Sequence, residues 1–198
     1  MIDPNQHDHF VLRQRFAPVI NRYEFSLADG EPPFCFVEQK RFTFKEDIRF
    51  YTDESKSTEL LRIKARQRFD PRATYDVTGA DGHKIGEIRK VFGTSLLRST
   101  YAINSNDGTV TAQEQNPVVA LFRRLVQFIP YVGDFADWLP IAYDFEFRRG
   151  EQVLGHNRRR RWQWRDVYDL DFTLDPQKTI DRRLVLAAAV GMDALQAR

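Results

Sequence analysis

Cysteine, methionine and lysine are scarce in this sequence, with one Cys, two Met and seven Lys in 198 residues. The single Cys35 excludes an intrachain disulfide. It lies in the apolar run Phe34-Cys35-Phe36-Val37 and reads as a small core hydrophobe rather than a reactive thiol. No long hydrophobic run exists. The longest, Leu184 to Met192, is far below the roughly 18 residues that span a bilayer. The first nine residues have neither a basic nor an apolar stretch of the kind a signal peptide needs. The expected protein is soluble and cytoplasmic, with peripheral membrane contact at most.

The motifs of catalysis and metal binding are also missing. There is no Gly-x-Ser-x-Gly and no P-loop, and Gly79-Ala80-Asp81-Gly82 is too short to cradle phosphate. His83 and His156 have no Cys-x-x-Cys or Glu-x-x-His beside them, so zinc is not expected. His7-x-His9 reads as part of a polar tail. Asp169-x-Asp171 starts like a calcium loop, but Leu174 stands where such a loop needs glycine. Both aspartates fit the outer face of a strand, with Asp175 capping a final helix. Asp144 and Glu146 share one strand face, an arrangement common on ordinary surfaces. No catalytic residue, metal or cofactor is expected, and the chain reads as a non-enzyme.

What is present is alternation. Hydrophobic residues make up 42% and aromatics 13%, and the aromatics concentrate in strand-like runs, the pleated, half-buried setting they favour. Phe10-Val11-Leu12-Arg13-Gln14-Arg15-Phe16 is echoed by Phe36-Val37-Glu38-Gln39-Lys40-Arg41-Phe42, with the breaker cluster Ala28 to Pro33 between them. Further runs cover 47–52 and 59–69. Hairpin turns are expected at Asp81-Gly82, Asn106-Asp107-Gly108 and Arg149-Gly150-Glu151. Two more alternating runs occupy 158–165 and 167–174.

Two segments have helical spacing instead. Asn116-Pro117 opens one, with Val118, Leu121, Phe122, Leu125, Val126 and Ile129 on one face and Arg123 and Arg124 opposite; Pro130 ends it. The other runs from Asp175-Pro176 to Ala197. Its Leu184, Leu186, Ala188, Val190 and Met192, with their neighbours, make it apolar on every side, so protein must surround it. A closed antiparallel barrel threaded by this helix accounts for both features and leaves no open sheet edge. Residues 1–9 are expected to be a flexible tail, and 10–198 one domain.

This pattern resembles the LURP-one-related family, bacterial members included, within the tubby C-terminal and phospholipid scramblase superfamily. The resemblance rests on Phe36 to Phe42, Phe50-Tyr51, Ala73 to Val77 with Ile85 to Ile88, Tyr143 to Phe147 and the Asp171-to-Met192 end. It implies a mainly β fold of about twelve strands around a central C-terminal helix. Tubby relatives bind phosphoinositides through surface basic residues, and scramblase relatives are tied to lipid movement and calcium. Plant members are linked to defence without an established chemistry. The resemblance thus implies a binding or scaffold barrel. The alternative is scramblase-like lipid transfer, against which the short final helix argues: nine residues span about 14 Å.

The basic residues are the functional leads. Arg62, Lys64, Arg66 and Arg68 stripe one face of a strand, and Arg158 to Arg165 mixes arginine with Trp162 and Trp164. In a strand Arg159, Arg161 and Arg165 share one face. Arginine clusters suit the phosphates of anionic lipid headgroups or an acidic protein partner. The plainer reading is a solvated face neutralised by Glu87, Asp144 and Glu146. Nucleic acid is disfavoured, because alternation puts the indoles on the opposite face from the arginines. The segment 128–141, with Phe135 and Trp138, joins Arg123 and Arg124 as a surface for membrane or partner, or as packing for its own barrel end.

Overall fold

A computed structural model describes residues 2–16, 20–40, 47–66, 74–91, 99–115, 144–160 and 166–196. These form twelve strands: β1 (His9–Phe16), β2 (Ile20–Ser26), β3 (Cys35–Lys40), β4 (Asp47–Tyr51), β5 (Glu59–Ala65), β6 (Thr74–Gly79), β7 (Lys84–Val91), β8 (Thr100–Ser105), β9 (Gly108–Glu114), β10 (Phe145–Arg149), β11 (Gln152–Arg159) and β12 (Val167–Asp171). Each strand pairs antiparallel with its neighbours in sequence. β1 also pairs with β12, His9 opposite Asp171, which closes the barrel. A helix, α1 (Arg182–Gln196), follows β12.

Period-two burial creates the interior. Phe10, Leu12, Phe25, Val37, Phe50, Leu61, Ile63, Val77, Ile88, Ile103, Phe147 and Leu170 are buried, with charged residues between them on the outer face. α1 fills the space inside. Every residue from Leu184 to Val190 is 0–3% exposed, and the helix packs against β5, β7 and β8. Seven consecutive positions at 100° each cover the whole circumference, so the helix is surrounded by protein as expected. Gly86 on β7 is what lets it come so close: a Cβ there would lie 2.6 Å from the Asn104 carbonyl oxygen and 2.9 Å from Leu184. Leu184, Leu186, Ala188, Val190 and Met192 are therefore structural residues of the core.

The turn chemistry holds. Gly82, Gly108 and Gly150 occupy hairpins with φ of 78°, 112° and 59°, a region other residues rarely adopt.

Several boundaries differ from expectation. Strand β2 had no clear alternation because apolar Ile20 falls on its outer face and polar Asn21 on the inner one, beside the inward Tyr23 and Phe25; Glu24, on the outer face, is buried beneath Arg15. β11 runs unbroken from Gln152 to Arg159, since pairing with β10 and β12 carries the backbone through polar His156 and Asn157. The helix starts at Arg182 rather than after Pro176. Asp175 does not cap it; the carboxylate instead closes a turn, accepting from Thr179 N at 3.0 Å, Thr179 Oγ1 at 2.8 Å and Ile180 N at 3.2 Å. Asp181 takes the capping place, its Oδ1 accepting from Arg183 N at 2.9 Å. The helix expected over 117–129 and the strand continuation over 161–165 lie outside the described residues.

The N-terminal stretch, expected to be a flexible tail, makes specific contacts. Pro4 is buried in a 3-10 turn, Asn5 Oδ1 accepts from Arg182 N at 2.8 Å, and Lys178 Nζ donates to the Asn5 carbonyl at 2.7 Å. Asp8 meets Arg182 at 2.7 Å. The start of the chain thus covers the barrel end at which α1 enters.

In an up-and-down barrel the connections alternate between two ends. The strand ends that bound residues 17–19, 41–46, 67–73, 92–98, 116–143 and 161–165 all lie at the end opposite to Arg182.

Candidate functional site

Arg62 and Lys64 on β5, and Arg66 just after it, share the outer face, as the alternation requires. The structure surrounds them with acid. Arg62 grips Asp47 with two parallel bonds, Nε to Oδ1 at 2.6 Å and Nη2 to Oδ2 at 2.5 Å. The hydrogen bond from Arg62 holds the Asp47 carboxyl below its usual range. Arg66 donates to both oxygens of Asp76, at 2.9 and 2.7 Å, and also meets Glu87. Lys84 reaches the same two carboxylates, each at 2.8 Å. Arg66, foremost, and then Lys84 lower Asp76 to about 2. Lys64 is exposed, sits in register between Asp47 and Asp76, and has no ion-pair partner among the described residues. Most of this stripe is thus a neutralised cross-strand lattice, with Glu87 in the part expected of it.

Arg159 is placed apart from that lattice. It lies opposite Tyr168 and two residues from Asn157, both buried, so its strand position faces the barrel interior. Its guanidinium pairs with Asp166, and its backbone N–H donates to Asp144 Oδ1 at 2.9 Å. Arg158 and Arg160 occupy the outer positions. Arg68, Arg161 and Arg165 lie outside the described residues, as do Arg123, Arg124, Phe135 and Trp138.

A second network escaped sequence reasoning. Arg160 binds Asp169 with two bonds, at 2.7 and 2.5 Å, and Asp29 at 2.6 Å; Asp29 also takes Arg13 at 2.6 Å. The Arg160 hydrogen bond lowers the Asp29 pKa. The partners are separated by up to 131 positions, and no local spacing announces such a pairing. It also bears on the two aspartates resembling a calcium loop: Asp169 is taken by Arg160, and Asp171 Oδ1 accepts from Thr173 N at 3.0 Å and Thr173 Oγ1 at 2.7 Å.

His156 lies on the outer face of β11, its Nδ1 3.1 Å from Gln115 Nε2 and 4.0 Å from Glu146. Burial lowers its pKa, and Arg158 adds to that. The Cys35 thiol is fully buried, and burial alone pushes its pKa far up, which removes thiolate chemistry at neutral pH. No group of three or more His, Cys, Asp or Glu among the described residues is arranged to hold a metal ion. None of the helices among them is long and apolar enough to cross a membrane. The outer wall of the barrel is studded with charge, whereas a bilayer-spanning barrel presents an apolar band to lipid.

The fold and this wall define a closed antiparallel barrel built around its own C-terminal helix. A family model described as LURP-one-related matches residues 35–193, most of the barrel, and the chain belongs to that family. No curated protein and no solved structure matches the chain.

Proposed function

We propose that this barrel is a non-catalytic binding module that docks on anionic phospholipid surfaces through the barrel end opposite Arg182. The observation that carries the reading is a difference in charge balance between the wall and that end. On the described wall, Arg13, Arg62, Arg66 and Arg160 are matched by carboxylates within the protein. By sequence, the segments that join strand ends on that side hold Arg41, Lys45, Arg68, Arg72, Arg98, Arg123, Arg124, Arg161 and Arg165 against Glu46, Asp70, Asp134 and Asp137. The same segments hold in sequence Phe135, Trp138, Trp162 and Trp164, residue types that suit a membrane interface. Clustered arginine suits phosphate, and several basic side chains near an anionic leaflet add about 1 kcal/mol each. Lipid transfer by the final helix is the weaker reading, because its apolar residues Leu184 to Met192 are buried inside the barrel.

Vesicle co-flotation tests it. Salt-sensitive flotation with phosphoinositide-containing vesicles, well above that with neutral vesicles, supports docking. Equal behaviour with both vesicle types overturns the lipid reading and turns the search to an acidic protein partner.

A further inference from the structure

A groove of about 290 Å³ crosses the outer wall over β1 to β4. Its floor is Phe36 and Tyr51, directly opposite each other on β3 and β4 and both half-buried. One rim is the 52–58 turn. There Asp53 accepts from Ser57 Oγ at 2.8 Å, and Lys56, at φ 59°, folds back to Glu38 at 2.6 Å.

The other end of the groove carries a charge conflict. Arg15 and Arg22 lie directly opposite each other across β1 and β2. Like charges in that relation destabilise a sheet. Each is held from one side only, Arg15 Nη2 by Glu24 at 3.0 Å and Arg22 Nε by Glu38 at 3.1 Å. Their side chains are 54% and 59% exposed, and the remaining guanidinium N–H groups have no partner among the described residues. Glu54, on the 52–58 rim beside Tyr51, has no ion-pair partner among the described residues either. The groove is therefore polarised in its unpaired groups: two half-free guanidiniums at one end, and at the other an aromatic floor with the unpaired Glu54 carboxylate, the Lys56 ammonium on that rim being held by Glu38.

We infer that this groove binds a small zwitterion, its phosphate on Arg15 and Arg22 and its alkylammonium over Tyr51 and Phe36 beside Glu54. Guanidinium forks match phosphate geometry, and the faces of aromatic rings attract quaternary ammonium. The volume is at the small end for ligand sites and fits a headgroup-sized molecule. The groove lies on the barrel wall, and its ligand does not depend on how the barrel end meets a membrane.

Phosphocholine is the probe, titrated into the intact protein by calorimetry, with inorganic phosphate and choline as single-charge controls. The expected result is phosphocholine binding roughly tenfold tighter than either control, since two contacts of about a tenfold each must act together. Arg22→Gln should weaken phosphocholine and phosphate alike. Glu54→Gln and Tyr51→Leu should weaken phosphocholine and leave phosphate unchanged. Competition of this binding by phosphatidylcholine vesicles identifies a membrane headgroup; its absence identifies a soluble ligand, and either supports the site. No binding at millimolar phosphocholine overturns the inference. So does phosphocholine affinity equal to that of phosphate, or unaffected by Glu54→Gln and Tyr51→Leu in variants that melt like the wild type.

Discussion

Arg182 donates to Asp175 at 2.8 Å in the closed end of the barrel, with the arginine side chain 0% and the aspartate 2% exposed. The same guanidinium meets Asp8, donates to the carbonyls of Ile180 and Asp175 at 3.2 and 3.0 Å, and lies 5.2 Å from the Phe172 ring centre. A buried charge is tolerable only when its hydrogen bonds are met in this way.

Removing the arginine should therefore be severe. Arg182→Ala leaves Asp175 buried without its cation and removes the guanidinium's contacts to the His7 carbonyl and Asp8, while the Asn5 bond to the backbone N–H of residue 182 remains. The expected loss is about 3–5 kcal/mol, read from the urea midpoint at unchanged slope. A loss under about 1 kcal/mol would show that the pair contributes little beyond packing.

The central helix makes a sharper demand. Ala188 is 0% exposed, and an aspartate there would be a charge in the barrel centre with no water to solvate it. Ala188→Asp should give no cooperative thermal unfolding and no native near-ultraviolet circular dichroism. A cooperative wild-type-like melt would contradict a helix enclosed by strands. Gly86→Ala tests the same packing from the wall, and it should lower the melting temperature because the added carbon meets Leu184 and a fixed backbone oxygen.

Acid should act on the β5–β7 lattice. Arg66 and Lys84 lower Asp76 to about 2 from a reference of 3.8. Because the folded pKa is the depressed one, this carboxylate's contribution is present above the unfolded value and is lost as pH falls through the folded value. The window is thus about pH 4 to 2. A carboxyl NMR titration should place Asp76 near 2 in the wild type and nearer 3.8 in Arg66→Gln. Identical titrations would remove Arg66 as the cause.

Most of the architecture was legible because it follows from short-range patterns. Alternation exposed Phe10 to Phe16 and Ile48 with Phe50, Asp-Gly pairs marked the hairpins, and an all-apolar run marked α1. What was hidden depends on distant partners. Asn21 broke the pattern of β2, because the pairing with β1 turns this polar side chain inward opposite Phe16. The turn at Asp175 looked like a helix start because the arginine that holds the carboxylate lies seven residues on. At the surface, the stripe of Arg62, Lys64 and Arg66 was readable, but its neutralisation by Asp47 and Asp76 required the register of three strands. The opposed Arg15 and Arg22 could not be found without the pairing of β1 with β2.

The most direct measurement is co-flotation with phosphoinositide-containing vesicles, comparing charge removal at the two locations. Replacing Arg68, Arg161 and Arg165 by glutamine together should abolish flotation at low salt, while Arg62→Gln with Arg66→Gln should leave it nearly unchanged, because those two already have internal carboxylate partners. Flotation that survives the first set and is lost with the second would contradict docking through the barrel end.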